Sequence, residues 1–244
     1  MKELNNLKIK IFADGADLES IKSLNEIDYI KGFTTNPSLM KKAGIKDYKS
    51  FALKLLSEIK DKPISFEVFS DDISEMENQA EEIASWGNNV NVKIPVTNTK
   101  KESTSELIGR LSSKGIICNI TAIFSMSQIK EVLQVLDKST PAILSIFAGR
   151  IADTGVDPSK IMIDSVNLAK TKPKSEVLWA STREILNIFQ AEETGCQIIT
   201  VPHDLLKKIS NLGKDLEEFS LETVHGFYTD ALSAGYTIKL KNKV

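Results

Sequence analysis

Lys93 stands in Asn91-Val92-Lys93-Ile94-Pro95-Val96-Thr97, a stretch that holds no other charge. Val90, Val92, Ile94 and Val96 share one parity, and Asn91, Lys93 and Pro95 share the other. That is strand spacing, in which successive side chains point to opposite faces. Lys93 therefore projects from the face opposite the aliphatic side chains. An amine held there, partly stripped of water, can attack a carbonyl carbon and form a Schiff base. On this segment alone, a strand-end lysine reaching solvent is the plainer reading.

Other polar side chains supply what such an amine needs. Asp14 follows the strand-like segment Ile9–Ala13, and Glu67 follows Ile64-Ser65-Phe66. Losing water from a carbinolamine requires an acid, and breaking the adjacent C–C bond requires a base on a substrate hydroxyl. Two carboxylates in different environments can divide those tasks. Ser145 with Arg150, and Ser181 with Arg183, suit a phosphate, which guanidinium groups pair with bidentately. Asn36 and Thr121 complete the set. Each has a plain alternative: a helix cap for Asp14, a turn for Asn36-Pro37-Ser38, surface ion pairs for the arginines. The combination on converging strand ends is what points to chemistry. The only histidines, His203 and His225, do not make a His-rich zinc site, so no metal is expected.

The elements that must position these residues alternate along the chain. Strands are expected over Lys8–Ala13, Gly32–Asn36, Ile64–Phe69, Val90–Val96, Ile116–Ile123, Ala142–Phe147, Val177–Ser181 and Ile198–Val201. Helical patterns fall between them over Tyr48–Ile59, Ser74–Trp86, Ser103–Lys114, Ser127–Leu136, Pro158–Lys170, Arg183–Glu193 and His203–Leu212. Ser125 or Ser127, and Asp157-Pro158, serve as start signals, and Gly87, Gly115 and Gly195 as stops. Eight strand–helix units with short connections imply a parallel α/β sheet, and eight is the number that closes a (β/α)8 TIM barrel. An open doubly wound sheet is the alternative, but no G-x-G-x-x-G turn follows the first strand. The expectation is a single domain over residues 1–244, with 213–244 forming a C-terminal helix and tail. Within it, Leu216–Leu240 reads as helix plus tail.

Composition fits that fold. The 244 residues are 41% hydrophobic and 26% charged, with a net charge of −2, so neither nucleic acid nor an anionic membrane is an expected partner. No apolar run is long enough to cross a bilayer, and Met1 to Lys10 lacks a signal-peptide core. Cys118 and Cys196 read as buried thiols, and the expected location is the cytoplasm.

Five blocks, in order, resemble the transaldolase family: Gly32-Phe33-Thr34-Thr35-Asn36-Pro37-Ser38-Leu39, Asn91-Val92-Lys93-Ile94-Pro95, Asn119-Ile120-Thr121, Ser145-Ile146-Phe147-Ala148-Gly149-Arg150 and Ala180-Ser181-Thr182-Arg183. The resemblance runs from about Ile9 to Val201. It implies a (β/α)8 barrel without cofactor or metal, acting on sugar phosphates. It further implies that Lys93 forms the Schiff base with the ketose C2, and that Asp14 takes the C4 hydroxyl proton. Glu67 would act through a water that Thr121 helps position. Asn36 and Ser181, with Thr35, would hold the dihydroxyacetone portion, and Arg150, Arg183 and Ser145 the phosphate. The implied reaction converts sedoheptulose 7-phosphate and glyceraldehyde 3-phosphate to erythrose 4-phosphate and fructose 6-phosphate. Fructose 6-phosphate aldolases of the same superfamily carry Gln where Glu67 stands and Tyr where Phe147 stands. A non-catalytic sugar-phosphate-binding relative is a third reading. Gly15 is a departure, since the family commonly has Thr after the aspartate; Asp17 is then the expected cap of the first helix. By resemblance, a homo-oligomer is expected.

Overall fold

Among the described residues, eight strands, each parallel to both neighbours, close on themselves in chain order. The computed structural model describes residues 4–238. The strands are β1 (Lys10–Asp14), β2 (Ile30–Thr34), β3 (Ile64–Glu67), β4 (Val90–Pro95), β5 (Cys118–Ile123), β6 (Ala142–Ile146), β7 (Ser175–Trp179) and β8 (Ile198–Pro202). Helices α1 (Leu18–Asn25), α2 (Pro37–Lys42), α3 (Tyr48–Glu58), α4 (Ile73–Ala84), α5 (Ser105–Ser113) and α6 (Met126–Val135) lie between the first six. Then come α7 (Ala148–Ala152), α8 (Ser159–Ala169), α9 (Leu186–Glu193) and α10 (His203–Leu206). This is the (β/α)8 barrel expected from the alternation, and the open sheet is excluded.

Two packing surfaces follow from strand parity. Aliphatic residues such as Val92 and Ile94 meet helices whose buried stripes recur at helical spacing: Met76, Ala80 and Ile83 of α4, or Ile129, Val132 and Leu133 of α6. The opposite parity fills the barrel. Phe12, Ile143, Leu178, Ala180 and Ile198 form one buried cluster, with Phe147 packed on it. Gly32 leaves room for the Phe12 ring, since a Cβ there would lie 2.7 Å from its carbons. The other half of the interior is polar. Asn119 donates to Ser65 Oγ at 2.9 Å and accepts from Ser145 Oγ at 2.6 Å.

Local signals explain most element boundaries. Ser125 caps α6 in a reciprocal box with Gln128, and Asp17 caps α1 by accepting from the Ser20 N–H at 2.8 Å. Gly115 and Gly195 sit in the left-handed region after α5 and α9. Gly87, expected to close α4, does not: the helix ends at Ala84 with Ser85 as its cap. Helix α9 begins at Leu186 rather than Arg183 because Asn187 Oδ1 accepts from the Arg183 and Glu184 N–H groups, holding those residues in a turn. The short helices α2 and α7 escape the sequence pattern, being too brief to show a period. The segment expected as one helix over His203–Leu212 is α10 followed by a 3-10 turn, Lys207–Asn211.

The barrel belongs to a compact unit that ends at Lys208, and the segment from Ile209 onward is a second unit. The latter contains α11 (Leu216–Ser233), capped by Asp215, which accepts from the Glu217 and Glu218 N–H groups. No residue of α11 is buried, and Leu216, Leu221, Val224, Phe227, Tyr228 and Leu232 are all exposed. The helix stops at Ser233, with Gly235 in the left-handed region, and the tail follows. Residues 239–244 of the expected tail lie outside the described residues. Among the described residues no helix is long and apolar enough to cross a membrane.

Candidate active site

Register places the Lys93 amine beside the Glu67 carboxylate. Glu67 and Lys93 are cross-strand partners on β3 and β4, and Lys93 is in turn the partner of Asn119 on β5. Partners on parallel strands send their side chains out on the same face. Lys93 Nζ consequently lies 3.0 Å from Glu67 Oε2, and it donates to the Thr35 carbonyl at 3.2 Å. Lys93 is 7% exposed although it sits at the barrel mouth. Tyr48 holds the other partner: its hydroxyl accepts from the Glu67 N–H at 2.7 Å and donates to the Glu67 carbonyl at 2.8 Å.

The second carboxylate enters from the opposite side of the barrel. Asp14 ends β1, in register with Thr34 of β2 and Pro202 of β8. The Thr34 hydroxyl donates to Asp14 Oδ1 at 2.7 Å and lies against the Thr200 hydroxyl on its other side. Burial pushes the Asp14 carboxyl above the usual carboxylate range. The Lys93 ammonium and the Thr34 hydrogen bond pull it part of the way back, while Glu67 adds to the rise. Two acids of one mouth thus stand in different surroundings, as a division into acid and base requires.

One cavity is lined by Asp14, Asn36, Lys93, Thr121, Ser145, Arg150, Ser181 and Arg183. Glu67 joins Asp14, Asn36, Lys93, Thr121 and Arg150 in its adjoining part. Thr35, expected among them, does not line it. Its hydroxyl donates to the Ser65 carbonyl at 2.9 Å, and only its own carbonyl reaches Lys93. Asn36 caps α2 by accepting from the Leu39 N–H at 3.0 Å. Thr121 Oγ1 is buried in the wall without a hydrogen-bond partner. The Ser145 hydroxyl is engaged with Asn119.

The two arginines arrive by a close backbone contact. A Cβ on Gly149 would lie 1.6 Å from the Ser181 carbonyl oxygen, so only glycine lets the loop after β6 touch the loop after β7. Arg150 follows that glycine, with its guanidinium 5.4 Å from the centre of the Phe147 ring. Arg183 forms an ion pair with Asp153. Ala122, near the end of β5, and Ser181, two residues past β7, both adopt left-handed backbone, φ 58° and 65°. Such strain on non-glycine residues gathers where a site must be shaped.

Some of this was not read from the sequence. Thr34 and Thr200, which frame Asp14, sat in plain view as inward-parity hydroxyls on β2 and β8. Tyr48 gave no signal, since nothing local ties a helix-start tyrosine to Glu67. Cys118 and Cys196 are free and buried; burial pushes their thiols to about 12 and about 11, so neither is a ready nucleophile.

The family described as Transaldolase/Fructose-6-phosphate aldolase matches residues 11–238. A probable transaldolase of Dehalococcoides mccartyi is 37% identical over 202 residues, covering 82% of this chain and 90% of the relative. Probable transaldolases of Nitrosopumilus maritimus and Methanococcus maripaludis are 35% and 34% identical, over 82% and 83% of this chain and 87% and 90% of theirs.

Proposed function

Because the chain belongs to the transaldolase/fructose-6-phosphate aldolase family, we propose that it moves a dihydroxyacetone unit between sugar phosphates through a Schiff base on Lys93. One observation carries this reading: an amine 7% exposed, 3.0 Å from Glu67, in a cavity it shares with Asp14 and two arginines.

Glu67 takes a proton from the Lys93 ammonium, and the free amine adds to the ketose C2. Glu67 then returns a proton, through a water held by the Thr121 hydroxyl, to the departing hydroxide, leaving an iminium. Asp14 takes the C4 hydroxyl proton, the C3–C4 bond breaks, and its electron pair moves into the iminium to give an enamine. An aldose phosphate leaves, an acceptor aldehyde enters, and the enamine carbon attacks its carbonyl while Asp14 gives its proton back. Water, again through Glu67, frees the product and Lys93. Asn36 and Ser181 hold the three-carbon unit. Arg150 and Arg183 hold the phosphate, Arg183 by turning from Asp153, and Ser145 joins by turning its hydroxyl from Asn119.

The proposed reaction is the pentose phosphate exchange of sedoheptulose 7-phosphate and glyceraldehyde 3-phosphate with erythrose 4-phosphate and fructose 6-phosphate, in the cytoplasm. Transfer is favoured over release of free dihydroxyacetone by the carboxylate at Glu67 and by Phe147. Its ring packs on Phe124 at 5.6 Å and offers no hydroxyl to a catalytic water. We propose a homo-oligomer as the working form, supported by the apolar side chains that α11 exposes.

Borohydride with fructose 6-phosphate should reduce an adduct onto Lys93, and Lys93→Met should abolish it. Adduct that persists in the variant would refute the assignment. A coupled assay run with and without erythrose 4-phosphate separates the activities: free dihydroxyacetone without acceptor marks an aldolase.

A further inference from the structure

Gly15 follows Asp14, yet its backbone is not in the left-handed region, so its conformation does not demand glycine. Space does. A Cβ on Gly15 would lie 2.4 Å from both Cε1 and Nε2 of His203, and 2.8 Å from Nδ1. The imidazole fills the place of a side chain at residue 15. Its Nε2 is buried there without a hydrogen-bond partner. On the other side, the Gly15 N–H donates to the Thr34 carbonyl at 3.1 Å, and the Thr34 hydroxyl donates to Asp14. The end of β1 is thus held between β2 and the residue that follows Pro202, the β8 partner of Asp14.

We propose that His203 is a positioning residue for Asp14: seated on Gly15, its ring presses the strand end against Thr34 and fixes the carboxylate that accepts the substrate hydroxyl proton. This rests on the Schiff-base reading above. The groups facing the ring are Asp14 of β1, Asp17 ahead of α1, Lys42 of α2, and Asp204 and Lys207 beside His203 itself. Burial holds the imidazole below its ordinary range, with Asp17 and Asp204 pulling upward and Lys207 downward. The ring is therefore a neutral wedge in neutral solution.

The test compares His203→Ala, Gly15→Ala and the double variant, each scored for Lys93 adduct and for turnover. A misplacement of about 1 Å at a reacting group costs on the order of 100-fold in rate, so His203→Ala should lower kcat by at least about 10-fold, with KM little changed. Adduct trapping should stay at the wild-type level, because Lys93 and Glu67 are untouched. The acid limb of kcat should move toward the ordinary carboxylate range as water reaches Asp14. Gly15→Ala should lose kcat similarly, and the double variant should regain most of it, since the new methyl then occupies the emptied space. Unchanged kcat and acid limb in His203→Ala, or losses that simply add in the double variant, overturn the proposal. Should His203→Ala fail to fold, His203→Leu keeps the bulk, and the wedge predicts near-wild-type kcat for it. Absence of a Lys93 adduct in the wild-type enzyme instead sinks the Schiff-base reading itself.

Discussion

Glu67 and Lys93 are register partners on adjacent parallel strands, and their charged groups meet at 3.0 Å inside the barrel mouth. Replacing Glu67 with Gln keeps the shape and removes the proton carrier. Positioned proton transfer contributes about 100- to 10,000-fold, so Glu67→Gln should lose transfer activity on that scale. Stopped-flow mixing with fructose 6-phosphate should show slowed adduct formation; a wild-type rate would remove Glu67 from the imine steps.

Asp14 should leave its mark on both activity and stability. Its carboxyl is raised, so the folded protein binds the proton more tightly than the unfolded chain does. That stability is present below the unfolded value and is lost as pH rises through the folded one. At neutral pH Asp14→Asn should therefore unfold at higher urea than the wild type, while C3–C4 cleavage falls to background. In the wild type, cleavage should rise with pH through a limb above the usual carboxylate range. An Asp14→Asn variant less stable than the wild type would contradict the burial argument.

Gly149→Ala asks whether the contact with Ser181 brings the arginines together. The obstructing atom is a main-chain oxygen, which has no flexible end to swing away. Overpacking of this kind costs about 1–3 kcal/mol, readable as a lower denaturation midpoint. The KM for phosphorylated substrate should rise with it, because Arg150 and Arg183 are displaced relative to each other.

Tyr48→Phe removes the hydroxyl that serves the Glu67 N–H and carbonyl together. Burial already pushes this phenol upward, so it remains a neutral donor. Leaving buried main-chain groups unpaired costs about 1–3 kcal/mol. Loosening should appear in Lys93 adduct formation before it appears in phosphate binding.

The strands and their inward residues were legible because period-two alternation survives in a barrel: Glu67, Lys93, Asn119, Thr121 and Ser145 share the inner parity of their strands. Parity alone would have kept Thr35 out of the site, because it follows the inward Thr34 and so belongs to the outer face. Thr35 lies one residue beyond β2, and its hydroxyl turns to Ser65 rather than to the cavity. Contacts between distant segments were illegible. Nothing near Gly15 names His203, nothing near Gly149 names Ser181, and Asp153 carries no sign that it will hold Arg183. Two short helices stayed hidden, because five or six residues cannot display a helical period.

The closure of β1 on β8 has a consequence for the order in which the enzyme comes into being. Asp14 is made early on the ribosome, but its surroundings wait for Thr200, Pro202 and His203, which come only with the last strand of the barrel. A nascent chain interrupted before Ile198 already holds Lys93, Glu67, Arg150 and Arg183, and still lacks the residues that frame Asp14. Under the proposed mechanism, competence for bond breaking therefore arrives with the final staple of the sheet, so that catalytic turnover doubles as a report that the circle is complete.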